Sequence, residues 1–376
     1  MKILSLIRSL LIVLIIVYPT KIYAGWNPFI IHYVTNQYGE GAHTWELKIH
    51  NGGWLYVANE SGLFQFDGST WVRNILPNHS PVRSVCIDSL SQRIYTGGIN
   101  QIGYFKPDGF GKLKYTSLFG EEYLGMNLMN NVWKIDQVGS VIYFRGDLGV
   151  LRYSEQLSFH NIIEAPAKIT ASTVVGGSLY IGCEKGVYVL VDNEFHRLHG
   201  TADFKGHLIR SISSSKAGTL ILTSDGLYIY DGVSVKLYIP ELNKYLIRND
   251  AFCMAIRDNL IAIGTINRGV LVCKLGPIHK SRLSSLQNND IPRTSSQMIF
   301  SPHISAKFIN EKNGLQNNTV LSLCFDEEGM LWAGLDRGVD FILLSSSLTN
   351  LYTFPESYGT GYSSVKYKGE NVFWNE

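Results

Sequence analysis

Short apolar runs with two-residue alternation, cut by Gly, Asn, Asp or Ser, follow one another along most of this chain. That pattern predicts antiparallel hairpins, because alternation puts one side of a strand in a core and the other in water. Its clearest copy is NNTVLSLCFDEEGMLWAGLDRGVDFIL, Asn317 to Leu343. The copy predicts a strand over Val320–Phe325, an acidic turn over Asp326–Gly329 and a second strand holding Trp332. A turn at Arg337-Gly338 and a third strand over Val339–Leu343 complete it. The same order returns in GWLYVANESGLFQFD from Gly53, GSLYIGCEKGVYVLVD from Gly177, GTLILTSDGLYIYD from Gly218 and NLIAIGTINRGVLVCK from Asn259.

The repeat has a measurable phase. The glycines that open each third strand are Gly62, Gly103, Gly149, Gly186, Gly226, Gly269 and Gly338, spaced by 41, 46, 37, 40, 43 and 69 residues. Roughly 40–45 residues is one four-stranded propeller blade. A parallel β-helix has shorter coils and ladders of like residues, which are not seen, and an independent sandwich needs about 100 residues. The reading is therefore all-β: a β-propeller of four-stranded antiparallel blades, with seven units and a partial eighth. The long last interval marks an insertion. Its residues, 276–306, are rich in Ser, Asn, Gln and Pro and read as a surface loop.

Both ends stand outside the phase. Residues 1–24 have the basic, apolar and small-residue order of a secretory signal peptide, with Lys2 and Arg8 before Leu10–Val17. The apolar run is short for a spanning helix, and an uncleaved anchor is the alternative. Residues 25–376 are then an exported propeller domain. After Leu343 a fourth strand is expected at Leu351–Phe354, then a strand from Tyr362, a Lys-Gly-Glu turn and a second strand from Val372. Two readings fit a chain that stops inside a hairpin. Either the polypeptide is a fragment of a longer protein, which is preferred, or the tail closes onto the N-terminal segment Phe29–Val34.

The formal net charge of +2, with both signs well mixed, gives no electrostatic footprint for nucleic acid. Five cysteines are an odd count for an exported chain. Cys86, Cys253 and Cys324 occupy matching points of three first strands, and Cys253 and Cys273 would have a strand between them. All five are therefore expected to be free thiols.

Sequence motifs for catalysis are missing: no H-E-x-x-H, C-x-x-C, G-x-S-x-G or phosphate-binding loop occurs. No metal or cofactor is expected, and Asp326-Glu327-Glu328 reads as a solvated turn. A propeller does bring one loop per blade to each rim, around a concave mouth. Aromatic residues at strand ends there are candidates for stacking on a sugar: Trp45, Tyr104, Trp133 and Tyr245. Trp54, Trp71 and Trp332 sit inside strand patterns and are expected to pack between blades. Asn317-Asn318-Thr319 fits a glycosylation acceptor but coincides with a turn.

The stretches Asn27 to Trp71 and Asn313 to Ile342 resemble the two-component regulator propeller family, the periplasmic sensor region of Bacteroidetes-type hybrid two-component and helix-turn-helix regulators. The second holds that family's order: Gly-Leu-polar-Asn lead-in, strand, acidic Gly turn, Leu-Trp, Gly, and Gly-apolar strand. The resemblance implies a non-catalytic, glycan-responsive sensor in the periplasm that feeds a transcriptional response. A small molecule or oligosaccharide is the implied ligand, and a homodimer is compatible with it. Membrane contact would come only from later parts absent here or from an uncleaved N-terminal segment. Two departures stand out: Gly98-Ile99-Asn100-Gln101 and Arg145-Gly146-Asp147 replace the usual Gly-Thr. The rival readings are a glycan hydrolase or lyase and a protein-binding scaffold.

Overall fold

The computed structural model describes residues 28–35, 41–50, 52–119, 129–157, 159–204, 207–275, 297–301, 304–345, 361–367 and 370–375. The expected signal segment 1–24 and the expected strand at Leu351–Phe354 lie outside the described residues. Seven antiparallel sheets, six of four strands and one of five, succeed one another along the chain. Their first strands are Thr44–Ile49, Val82–Asp88, Lys134–Val138, Ile169–Val175, Ile209–Ser215, Ala251–Arg257 and Val320–Phe325. Each contacts the first strand of the next sheet, and the seventh contacts the first. The first strands thus ring a common axis, and the protein is a seven-bladed β-propeller.

Turn chemistry explains the phase of the glycines. Gly62 opens the third strand of blade 1 at φ 139°, and a Cβ there would meet the Asn74 carbonyl oxygen at 2.5 Å. Only glycine combines that dihedral with so close an approach of the fourth strand.

The ring closes through its N-terminus. Phe29–Tyr33 pairs with Val339–Leu343, from Phe29↔Leu343 to Tyr33↔Val339, as the fourth strand of blade 7. Ile30 is buried, and His32 Nδ1 lies 2.7 Å from the buried Asp340 Oδ1. The N-terminal segment therefore closes the propeller, but onto the third strand of blade 7 and not onto the tail. The tail forms its own hairpin, Gly361–Tyr367 with Glu370–Asn375, paired with no other described strand. Among the described residues no partial eighth blade enters the ring: the first strand of blade 7 contacts that of blade 1, and the N-terminal strand fills the outer place of blade 7.

Two further elements differ from expectation. Within the segment read as a loop, Gln297–Ser301 pairs with Ile304–Ile309, and Ile304–Ile309 is the fourth strand of blade 6. The apolar alternation of Ile304, Ala306 and Phe308, with Ala306, Phe308 and Ile309 buried, outweighs the polar composition before it. A helix, Pro240–Arg248, precedes blade 6 with Pro at its start and Leu242 and Leu246 buried against blades 5 and 6.

The core lies between blades. Trp332, 9% exposed, packs between blades 7 and 1 with Leu47, Val57 and Phe64. Its ring centroid lies 4.5 Å from Phe341, 5.7 Å from Tyr33 and 6.2 Å from Phe66. Trp71 joins this cluster, stacked 4.4 Å from Phe66. Trp54 does not: it sits in a turn and is 39% exposed. All five cysteines are free, as strand geometry required.

Candidate functional site

Six of the first strands carry the same irregularity one residue after they begin. In blade 1 the pairing passes from Thr44↔Asn59 to Glu46↔Ala58, leaving Trp45 out of register. Arg83, Thr170, Arg210, Phe252 and Leu321 are left out in the same way in blades 2, 4, 5, 6 and 7. In blade 3 the equivalent residue is Trp133, whose N–H donates to the Arg145 carbonyl just before the strand. A bulge re-aims the side chain of the extra residue. The preceding residue is buried in every blade, while the bulged residue is half-exposed.

The side chains of Trp45, Arg83 and Trp133 collect at one mouth of the axis, where first strands begin and turns between second and third strands lie, while Thr170 donates to the Ile209 carbonyl of blade 5 at 2.7 Å. Trp45 and Trp133 come from blades 1 and 3, which are not neighbours, yet their rings meet edge to face at 6.3 Å. Such a contact requires both to lean inward past blade 2. Arg83 of that intervening blade places its guanidinium 4.2 Å from the Trp133 ring and 5.1 Å from the Trp45 ring. Burial pulls the Arg83 pKa down, opposed by the charges of Glu60 and Asp147.

Around this group the turns supply polar partners. Trp133 Nε1 donates to Asp147 Oδ1 at 3.2 Å. His43 stacks on Trp45 at 5.0 Å, with Nδ1 2.9 Å from Glu60 Oε2 and Nε2 3.0 Å from Asp336 Oδ1. The His43 hydrogen bond holds the Glu60 carboxyl below its usual range. Across the mouth, Arg210 reaches Asp250 Oδ1 at 3.2 Å and lies 5.4 Å from the Phe252 ring.

Just below the mouth the channel is charged. Glu46, 6% exposed, accepts from Lys134 Nζ and from the Val85 N–H at 3.0 Å, with Lys48 Nζ 3.6 Å away. Burial pushes its carboxyl up, but Lys134 and Lys48 together with these hydrogen bonds outweigh burial and hold it below the ordinary value. Asp136 accepts from Ser172 Oγ at 2.6 Å. These bonds tie blades 1 to 4 together across the axis.

Of the four aromatic candidates, the fold brings Trp45 and Trp133 together and leaves the other two elsewhere. Tyr104 lies on the third strand of blade 2, half-buried 5.8 Å from Tyr95, with Arg93 4.3 Å over its ring. Tyr245 sits on the helix, 4.7 Å from Phe308, its hydroxyl buried without a partner. Both pack between blades, because strand alternation and the helical face turn them into the core. Arg83, Arg210 and Phe252 were not singled out from the sequence. Alignment of the repeats carried the signal: T-W-E, V-R-S, V-W-K, I-T-A, I-R-S, A-F-C and V-L-S vary most at their middle residue.

Among known proteins, the model of the family described as "Two component regulator propeller" matches residues 314–337, so the last blade carries a repeat of that kind. No curated protein sequence matches the chain. Among solved structures, the extracellular domain of a hybrid two component system of B. thetaiotaomicron is similar, at 15% identity and TM-score 0.60 over 91% of this chain and 44% of that one. A second such domain from the same organism gives 15%, 0.59, 92% and 46%. Virginiamycin B lyase from Staphylococcus aureus gives 13%, 0.59, 84% and 99%. At these identities the likeness is one of fold. The chain spans less than half the length of the two-component neighbours.

Proposed function

We propose that this chain, whose last blade carries a two component regulator propeller repeat, is an extracytoplasmic ligand-sensing domain for an oligosaccharide that docks at the mouth ringed by the bulged residues. The observation that carries this is the meeting of Trp45 and Trp133 over Arg83 in a half-exposed group. Indole faces of this kind suit the C–H face of a sugar ring, and the turns beside them offer donors and acceptors for hydroxyls. The two-component neighbours are extracellular domains, which supports export to the periplasm. Among the described residues no helix is long and apolar enough to cross a membrane. The transcriptional output that the resemblance implies is assigned to no residue of the ring.

The test is calorimetry of the purified chain against a glycan panel, with chromatography of the same mixtures. Binding without product, weakened at least about tenfold by Trp133→Ala, is the expected result. Released sugars would replace this reading by the enzymatic one, for which the lyase neighbour is the motive. N-terminal sequencing of the protein from its host is expected to begin near Gly25. An intact Met1 form in the cytosol would refute export.

A further inference from the structure

Blade 3 breaks the repeat at one position, two residues before Asp147, which accepts from Trp133 of the candidate site. The second-strand residue opposite the one after the bulge is Ala58, Gly97, Gly182, Leu222, Gly264 and Gly334 in the other blades. Most of these are small because the following blade presses on them: a Cβ on Gly182 would meet Ile209 Cγ2 at 2.6 Å, and one on Gly264 would meet Val320 Cγ1 at 2.7 Å. In blade 3 the residue is Arg145, paired with Lys134 and only 8% exposed. A side chain of that size in so tight a place requires a reason.

Arg145 finds no neutralising partner. Among the described residues no carboxylate pairs with its guanidinium and no acceptor bonds to it, and its Nε is buried unsatisfied. Burial pushes it down to about 10, while Asp136, Glu46 and Asp147 act on it through space. Those three carboxylates lie along the axis and are already engaged: Glu46 by Lys134 and Lys48, Asp136 by Ser172, and Asp147 by Trp133 and Lys168. The guanidinium is therefore left without an ion pair among those three carboxylates. Arg83, half-exposed, is unpaired as well. Its plane is covered by two indoles, its Nε is buried without an acceptor, and no described carboxylate pairs with it. An unpaired buried charge is costly, and an arginine held by stacking keeps its N–H edge set for a planar oxyanion.

Deepening the oligosaccharide reading and resting on it, we infer that the ligand is an acidic sugar whose carboxylate or sulfate is gripped by Arg83, with Arg145 as the second positive charge, while its ring lies against Trp45 or Trp133. Arg210 does not share this role, because Asp250 already engages it.

The experiment titrates the full chain with trigalacturonate, its methyl ester, a 6-sulfated galactose disaccharide and neutral galactotriose. Acidic probes are expected to bind at least about tenfold more tightly than neutral ones, and more weakly as salt rises. Preference for trigalacturonate or for the sulfated probe identifies the oxyanion as carboxylate or sulfate. Arg83→Gln is expected to bring acidic probes to the neutral level, with unfolding midpoint unchanged. Arg145→Lys, which keeps the charge, is expected to retain more of the preference than Arg145→Gln. Equal affinity of the methyl ester and the free acid would overturn the inference and leave sugar binding intact. If no sugar binds, the oligosaccharide reading falls, and tryptophan fluorescence during sulfate titration then decides separately. A sulfate response lost in Arg83→Gln supports the oxyanion site, and no response overturns it.

Discussion

Replacing Trp332 by Ala tests whether the ring is held shut by packing at the seam between its last and first blades. The indole lies among Leu47, Val57 and Phe64 of blade 1 and stacks 5.7 Å from Tyr33 of the closing strand. A tryptophan buries roughly 200 Å², which at about 25 cal/mol/Å² corresponds to about 5 kcal/mol. Compactness of the unfolded chain lowers that figure by roughly 10–40%, and the ring contacts with Tyr33, Phe66 and Phe341 keep the cost toward the upper end of what remains. The expected cost is about 4 kcal/mol, inside the range of about 3–5 for aromatic truncation in cores. Urea unfolding followed by far-UV circular dichroism measures it, with Trp54→Ala as the control. Trp54 is 39% exposed in a turn, and its loss is expected to stay within about 0.5 kcal/mol. Since Trp332 also backs Tyr33, the variant is expected to be cut faster by protease within Phe29–Tyr33 than elsewhere. A change under about 0.5 kcal/mol for Trp332→Ala, or equal costs for both variants, would refute the placement of the indole in the seam.

Three other outcomes are expected. Glu46→Gln removes the carboxylate that binds Lys134 and the Val85 N–H, at a cost of about 1–3 kcal/mol at neutral pH. The folded carboxyl lies below its ordinary value, so this stabilisation is present above the unfolded pKa of about 4.3 and is lost as pH falls through the folded one. The gap between variant and wild type should therefore close in acid, and a gap that widens there would refute the assignment. Gly269→Ala places a Cβ 2.1 Å from the Ile309 carbonyl oxygen at φ 75° and should cost more than about 1 kcal/mol by urea unfolding; a neutral outcome would show that the third strand of blade 6 does not begin as described. Burial pushes the Cys86, Cys253 and Cys273 thiols up to about 12, so a thiol reagent should leave them unmodified in the native protein at pH 8 and label them in urea.

The hairpins, their period and the glycine that opens each third strand were legible in the sequence, because each is a local matter. Two-residue alternation fixes which side of a strand is buried, and a turn at positive φ selects glycine within a few residues. Free cysteines followed from the same strand order, and the burial of Trp332 from its place in the repeat. Composition misled where it competed with alternation, as at Ile304–Ile309, and the helix Pro240–Arg248 interrupts an otherwise strand-like pattern. What the tertiary structure alone decided is non-local. Phe29–Tyr33 completes a sheet whose other strands begin at Val320, so the number of blades in the ring depends on a pairing that no window of sequence contains. Trp45, Arg83 and Trp133 look alike to any single-blade reading as residues near strand starts. They become one group only because successive blades rotate about the axis and the residue at the head of each of these first strands leans inward, through a bulge in blades 1 and 2. Tyr104 and Tyr245, equally plausible by position, are turned into the core by that same arrangement. Arg145 was visible as a departure from the repeat, but its unpaired charge is a property of the closed ring.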